Sequence, residues 1–292
     1  MSPLRLILAS LVHHGRLNVA VAFGVAAGTA VLTGALLVGD SMRGSLRDLT
    51  LDRLGRIEHA LVTDQFFRAA LADELAADPE FQEHFAEAVP AILLRGSVKR
   101  RSDDPNGPVR VNGVNVIACD ERFWRLGSAG PEAPPASRRV VVLNRPLAER
   151  LGIRAGEDGV GVPDEETRVM IHLPNLGTVP TDTLLGRKTN TVEGHDLTVR
   201  EVIPAEGLGR FTLRPSQQAP LNAYVSLELG SRLFRREVGR RSDRVNAILV
   251  AGKAAGDDPS PEGVEVVQRL LRPKLDDYGI RVDLVEGMDG SP

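Results

Sequence analysis

The run at residues 185–189 is the nearest match in this sequence to a phosphate-binding motif, and it reads Leu-Gly-Arg-Lys-Thr. A P-loop needs a glycine directly before its lysine and a second glycine five positions earlier, because its backbone N–H groups wrap around the phosphates. Arg187 and Asp182 occupy those two positions. The sequence therefore predicts a polar loop here and no nucleotide-binding site.

Serine, histidine and aspartate side chains offer hydrolytic chemistry. His172 falls within a predicted strand, and His195 lies in a predicted loop beside Asp196. Neither histidine belongs to a G-x-S-x-G or H-E-x-x-H motif, and a Ser-His-Asp set can be assembled from distant residues in almost any chain of this length. We therefore predict no catalytic residue and no enzymatic activity. An anchored hydrolase is kept as a third alternative.

Metal and thiol chemistry has little support either. The acidic clusters at 164–166 and 257–258 carry the oxygen ligands that hard cations prefer, but neither has EF-hand spacing, so we predict solvated turns. Cys119 is the only cysteine, which excludes an intramolecular disulfide and a cysteine-rich metal site. Because it lies in an alternating strand pattern, we predict that Cys119 is a buried packing residue. No metal and no bound cofactor are expected.

Composition and charge narrow the class of protein. The chain has 292 residues, 42% hydrophobic and 26% charged, which is typical of a folded protein with a sizeable core. The net charge is -3, and only 4% of residues are aromatic. The lysine and arginine clusters, such as that at 99–101, lie among acidic residues. Nucleic acid is therefore excluded as an expected partner.

Residues 17–39 contain no charged side chain. A helix over this segment is about 34 Å long, enough to cross a hydrocarbon core of about 30 Å. A cleaved signal peptide and a buried core helix are the alternatives, but the run is longer than a signal peptide's apolar region and has no clear cleavage site. Residues 1–16 form an amphipathic segment in which Arg5 and Arg16 are unopposed by acids, and this favours a cytoplasmic N-terminus. The chain should therefore have a single span and a domain outside the cytoplasm.

Small residues repeat every four positions within this segment, at Ala20, Gly24 and Gly28. This spacing places them on one face of a helix, where small side chains allow another membrane helix to approach closely. Glycine and alanine are also common in membrane helices in general, which is the alternative explanation. We predict a transmembrane packing face formed by these three residues.

Beyond the span, the pattern predicts a helical stalk at 40–58 and a mixed α and β domain at 59–292. We expect strands at 60–63, 89–98, 109–118, 140–143, 168–173, 197–203, 245–251 and 280–285, and helices at 66–77, 145–151, 226–237 and 261–271. Asn144 is the expected N-cap of the helix that contains Pro146, and Gly152 should end that helix. A short helix should start at Asp120, and a loop should cover 126–138.

Several runs resemble the N-terminal half of the MacB/FtsX-like permease subunits of bacterial ABC transporters. Together they extend from about residue 4 to residue 251. The runs are VGDSMRGSL, VNGVNVIACDERFWRLG, RRVVVLNRPLAERLGIRAGE, LTVREVIP, NAYVSLELGSRLF and RVNAILVA. The resemblance implies an α+β fold with a first transmembrane helix that leads into a MacB-type periplasmic core domain in the bacterial inner (cytoplasmic) membrane.

The resemblance also implies partners. In this family an ABC ATPase subunit binds and hydrolyses ATP, and its motion passes through the membrane helices to the outer domain. The family has three further spans after this domain, so we expect a fragment or one half of a subunit that assembles with further permease spans or with a second copy as a dimer. The rival hypothesis is a single-pass, membrane-anchored periplasmic binding or scaffold protein. The transported substrate is not indicated by any residue.

Overall fold

A computed structural model describes most of the chain and divides it into two units, residues 1–50 and 51–292. The described residues of the first unit are helical, and those of the second form a mixed α and β domain. This confirms an α+β chain with one long apolar N-terminal helix. The residues described are 13–101, 109–127, 139–156, 158–163, 166–173, 194–214, 218–233, 243–253 and 261–275.

Helix α1 (Gly15–Leu54) contains the whole charge-free segment and most of the predicted stalk. The stalk prediction of 40–58 extends too far, because the helix ends at Leu54 and a strand begins at Ile57. Gly55 has a φ of 60°, the left-handed conformation that stops a helix and that glycine adopts without strain. Most of the amphipathic segment at 1–16 lies outside the described residues.

The described part of the second unit contains strands interspersed with helices. Its strands are β1 (Ile57–Arg68), β2 (Phe85–Arg100), β3 (Arg110–Cys119), β4 (Val140–Asn144), β5 (Arg168–His172), β6 (Gly194–Ile203), β7 (Asn222–Ser226) and β8 (Arg244–Gly252). Its helices are α2 (Ala70–Ala76), α3 (Pro79–His84), α4 (Glu121–Arg125), α5 (Arg145–Leu151), α6 (Leu227–Leu233) and α7 (Pro261–Leu275), together with a 3-10 helix at Gly207–Arg210.

Six of these strands close into a barrel in the order β2-β3-β7-β4-β6-β5. The barrel closes where β5 pairs with the C-terminal end of β2, with Arg100 opposite Val169. The pairs β3–β7 and β4–β6 are parallel, and the other barrel pairs are antiparallel. Closure pairs both edges of each barrel strand, which removes the exposed edges that promote aggregation.

Strand β2 serves two sheets. Its first half pairs with β8, with Ala91 opposite Ala247, and β1 lies on the far side of β8. Its second half pairs with β3 from Ile92 onward. Where the strand passes between the sheets, Asn246 of β8 accepts a hydrogen bond from the Leu93 N–H at 2.8 Å and donates one to its carbonyl at 3.0 Å. The amide side chain satisfies backbone groups that no strand pairs there.

The C-terminal half of strand β3 is buried on both faces. Val116 and Ala118 pack in one apolar cluster, whereas Ile117 and Cys119 pack in a second cluster on the opposite face. This confirms the prediction that Cys119 is a packing residue, since it is only 2% exposed. Burial, together with the nearby charge of Asp120, raises the pKa of its thiol. The thiol is therefore neutral and unsuited to nucleophilic chemistry.

Local sequence signals predicted one strand-to-helix unit in detail. The side chain of Asn144 accepts a hydrogen bond from the Leu147 N–H at the start of α5, and Gly152 ends the helix with a φ of 68°. Asp120 caps α4 in the same way through the Arg122 N–H. These confirmed predictions all depend on residues within four positions of each other.

Other predictions differ from the structure. The helix expected at 66–77 begins at Ala70, because β1 continues through Arg68 to pair with β8. His195 lies in strand β6 and not in a loop. Strand β7 was not predicted, because the short run at 222–226 carries no period-two pattern and is buried throughout. The strand at 280–285 and most of the loop at 126–138 lie outside the described residues.

Candidate functional site: the apolar helix and its last turn

Helix α1 is apolar around its whole circumference within residues 17–39. Large side chains such as Phe23, Val31 and Leu36 are 72%, 72% and 75% exposed, respectively. A helix of a water-soluble domain buries one apolar stripe, whereas this helix leaves every side free. It is long and apolar enough to span a membrane. None of its most apolar 18-residue stretch is buried by other described residues. These properties are consistent with a single-pass membrane protein.

The polar side chain in the middle of this segment is satisfied within the helix. The hydroxyl of Thr29 donates a hydrogen bond to the carbonyl oxygen of Val25 at 2.7 Å. In lipid an unpaired hydroxyl would be costly, because no water is present to accept its proton. The segment can therefore enter a bilayer without an unpaired side-chain donor at Thr29.

The predicted packing face lies on one side of α1 and is open. Ala20, Gly24 and Gly28 belong to the same uninterrupted helix, and no atom lies within 4 Å of where a Cβ would stand on either glycine. The valines at 21 and 25 point about 100° away from this face. The face has no occupant among the described residues, so its use in packing remains a prediction.

The last turn of α1, from Leu51 onward, belongs to the folded domain. The carboxylate of Asp52 accepts a hydrogen bond from the Gly207 N–H at 3.0 Å. Leu54 packs against the second apolar cluster, which contains aromatic side chains of α4 and β7. Immediately after the helix, the Arg56 N–H donates to the Leu126 carbonyl at 2.8 Å. One polar contact, one apolar contact and one backbone contact hold this turn.

Gly55 makes this arrangement possible because no other residue fits there. A Cβ at this position would lie 2.2 Å from the carbonyl oxygen of Leu126, and the residue has a φ of 60°. The same carbonyl accepts the hydrogen bond from Arg56. The close approach of Gly55 to α4 therefore determines where the chain leaves the helix.

Buried polar side chains bind the backbone of residues 207–211, the loop whose Gly207 N–H donates to Asp52. Asn144 donates to the Gly209 carbonyl at 3.0 Å, and Asn222 donates to the Phe211 carbonyl at 2.9 Å. Tyr224 donates to the carbonyl of Leu208. The hydroxyl of Tyr224 also accepts a hydrogen bond from Asn222 at 2.8 Å, and burial raises the pKa of the phenol. The 3-10 helix and the residue after it are thus fixed to the barrel through three backbone carbonyls.

Sequence reasoning identified Asn144 in this network only as a helix cap. It did not identify Asn222 or Tyr224, although the run Asn-Ala-Tyr-Val-Ser offered a signal. Polar side chains in an otherwise buried strand need hydrogen-bond partners. The backbone carbonyls that accept from Asn222 and Tyr224 lie more than ten residues away in the chain, and spacing alone does not identify them.

The residues considered for catalysis do not assemble into a catalytic arrangement in the described part of the chain. His172 lies opposite Gly194 on the outer face of the barrel, whereas His195 lies opposite the inward-facing Ile171. The Oδ2 atom of Asp196 lies 3.8 Å from the Nη1 atom of Arg101. No group of three or more potential metal ligands occurs among the described residues. The P-loop-like run at 185–189, residues 164–165 and residues 257–258 lie outside them.

Comparison with known proteins adds no assignment. No family model matches this chain, and no curated protein matches it.

Proposed function

We propose that this chain is a membrane permease subunit of an ABC transporter. In this proposal α1 crosses the bacterial inner membrane, the barrel domain lies on the periplasmic side, and a partner ATPase subunit binds and hydrolyses ATP. The observation that carries the proposal is the attachment of the last turn of α1 through Asp52, Leu54 and Gly55. An apolar helix that only anchors a domain does not need a fixed last turn, whereas one that transmits movement needs its last turn fixed to the domain that moves.

The orientation follows from the charges that flank the apolar segment. Arg5 and Arg16 precede it without neighbouring acids, whereas Arg43 and Arg47 follow it among Asp40, Asp48 and Asp52. The positive-inside rule counts only lysine and arginine, and here it favours a cytoplasmic N-terminus. The domain then lies in the periplasm, where it meets export substrates, peptides or lipoproteins.

The small-residue face supports a helix partner. Lipid supplies no hydrophobic drive between helices, so close backbone approach at residues such as Gly24 and Gly28 is a main source of association. The partner in this proposal is a further permease span or the same face of a second copy. A dimer of this kind places two domains above one pair of ATPase subunits.

Co-purification tests the proposal directly. The full chain, tagged and isolated from native membranes under mild detergent, should recover an ATP-hydrolysing subunit that a photoreactive ATP analogue labels. An unrelated single-pass membrane protein with the same tag is the control. Recovery of a folded chain with no ATP-binding partner would contradict the transporter assignment.

Coupling is tested on the recovered complex. Addition of ATP and vanadate should change the protease sensitivity of the domain. Asp52→Ala should weaken that change because it removes the acceptor of the Gly207 N–H. Asp48→Ala, one helical turn earlier, is the matched control and should behave like the wild type. Equal responses of the two variants would exclude Asp52 from the transmission.

A single-pass, membrane-anchored periplasmic binding or scaffold protein is the second candidate function. The observation that favours it is that α1 is the one helix in the described part of the chain that could span a membrane. Such a protein would stay monomeric in detergent, and substitutions at the small-residue face would have no effect on its assembly.

A further inference from the structure

The outer face of the barrel carries a group of cationic and polar side chains that the proposed function does not use. Lys99 of β2 lies directly opposite Arg110 of β3. One step along the same face, Ser97 lies opposite His172 of β5. Val98, between Ser97 and Lys99, points into the barrel core, so the four polar residues share the outer surface. We name Ser97, Lys99, Arg110 and His172 the barrel-face cluster.

The side chain of Arg110 crosses the cluster. Its Nε and Nη2 atoms lie 3.2 Å and 2.9 Å from the hydroxyl oxygen of Ser97, to which both donate. This contact brings the guanidinium from its position opposite Lys99 toward the strand pair that carries His172. Ser97 is only 7% exposed beneath it. A guanidinium has five N–H groups, so three remain available for another acceptor.

The positive charges of the cluster are not neutralised by acids in the described part of the chain. Lys99 and Arg110 have no carboxylate within 4.0 Å among the described residues, whereas the neighbouring Arg101 and Arg168 are paired with Asp196 and Glu166, respectively. Like charges directly opposite each other on paired strands are destabilising. Among the described residues, no acid therefore offsets the repulsion between Lys99 and Arg110.

The positive charges of the cluster also act on the imidazole of His172. Burial and the charges of Arg110 and Lys99 lower its pKa. The next strand carries Gly194 beside it, and a Cβ there would come within 3.2 Å of the His172 Nε2 atom. The side chain of Met170 lies closer still to this position, at 2.6 Å, so Gly194 leaves room for Met170 and the imidazole side by side. By contrast, Arg100 turns away and donates to the carbonyl of Gly152.

We propose that the barrel-face cluster binds a phosphate group, with Arg110 and Lys99 as the charged contacts and Ser97 and His172 as hydrogen-bonding neighbours. A guanidinium binds phosphate oxygens through paired N–H groups, and an ammonium adds a mobile point charge. A bound dianion would remove the repulsion between Lys99 and Arg110. The ligand class is a phosphate monoester, a diphosphate or a phosphate-bearing headgroup.

Isothermal titration of the full chain in an uncharged detergent tests this site, with inorganic pyrophosphate as the probe. The wild type should bind it, and Arg110→Gln and Lys99→Gln should each weaken binding about fivefold, the effect of one exposed charged contact. Arg145→Gln removes the same charge on helix α5 and is the matched control. Equal affinity in all four proteins, or no binding by the wild type, would overturn the proposal.

A further arm identifies the source of the phosphate. Binding of short-chain phosphatidylglycerol in preference to pyrophosphate would assign the site to a lipid headgroup, and the reverse preference would assign it to a soluble ligand.

Discussion

Gly24 and Gly55 show how differently the two units of this chain use the same residue type. A Cβ on Gly24 in helix α1 would meet no atom within 4 Å, whereas one on Gly55 would lie 2.2 Å from a backbone oxygen of Leu126. Large apolar residues show the same contrast, because Leu36 is 75% exposed and Leu143 of the barrel is 0% exposed. The barrel domain buries its own large apolar side chains. Helix α1 instead leaves its large apolar side chains exposed among the described residues.

Gly55 should be the most sensitive position in this comparison. Gly55→Ala combines an unfavourable positive φ with a backbone clash, and we expect it to lower the free energy of unfolding of the domain by about 4 kcal/mol. Gly24→Ala is the matched control and should change it by less than about 0.5 kcal/mol. Denaturant unfolding of the full chain in detergent, followed by tryptophan fluorescence, measures both. Similar stabilities would show that the turn after α1 is not tightly held.

Asn222 tests the buried polar network of the domain. Asn222→Leu leaves the carbonyl of Phe211 without its side-chain donor and the Asn115 amide without its acceptor. We expect a loss of about 3 kcal/mol in unfolding free energy. Asn112→Leu, at an exposed position of β3, is the matched control and should stay within about 0.5 kcal/mol of the wild type. A mild effect of Asn222→Leu would mean that the loop at 207–211 is held by other contacts.

Substitutions on the helix should affect assembly and leave domain stability unchanged. Gly24→Leu and Gly28→Leu should weaken association with the remaining permease spans or a second copy by about 1 kcal/mol, a typical interhelical contribution. Val21→Leu and Val25→Leu, on other faces, are the controls. Crosslinking in membranes measures the effect. If all four variants assemble equally, the helix is only an anchor, and the binding or scaffold hypothesis is favoured.

His59 gives the smallest effect and adds a pH dependence that only the domain should show. Its ring packs edge-on against Phe85, with centroids 5.4 Å apart, and burial lowers the pKa of the imidazole. The folded chain then binds fewer protons than the unfolded chain just below the ordinary histidine pKa of about 6.5. The free energy of unfolding should therefore decrease as the pH falls through that value.

The His59→Gln variant checks the assignment. It should flatten the dependence of unfolding free energy on pH, measured by denaturant titration across the mildly acidic range. His172→Gln is the comparison, since burial and nearby cations lower the pKa of His172 in the same direction. A profile that both substitutions leave unchanged would mean that neither imidazole titrates differently on folding.

The predictable features of this chain depend on neighbours in sequence. The absence of charge from residue 17 to residue 39 predicted an apolar helix, and Asn144, Pro146 and Gly152 predicted the limits of α5. The burial of Cys119 followed from its alternating strand pattern. Each signal lies within a few residues, because helical hydrogen bonds, caps and strand alternation act over that range.

The barrel and its polar network join residues that are far apart in the sequence, so local patterns did not predict them. Nothing in the local pattern of Asn222–Ser226 shows that β7 pairs in parallel with β3, about a hundred residues earlier, or that Asn222 meets Asn144. The barrel-face cluster also joins residues that are far apart in the sequence. The sequence joins Lys99, Arg100 and Arg101 into one basic run, whereas the structure points Arg100 to a helix end, pairs Arg101 with Asp196 and places Lys99 opposite Arg110.

The amino-acid sequence by itself therefore determined an apolar helix of membrane-spanning length, the α+β class of the domain that follows, and the helix caps of that domain. Only the tertiary structure decided that β5 closes a barrel onto β2, that Asp52 and Gly55 fix the last turn of α1, and that isolated basic residues share one face. The physical reason is the distance along the chain over which each interaction acts. Caps and periodicity act within one or two turns, whereas strand pairing and side-chain networks join residues whose partners are chosen by the packing of the whole domain.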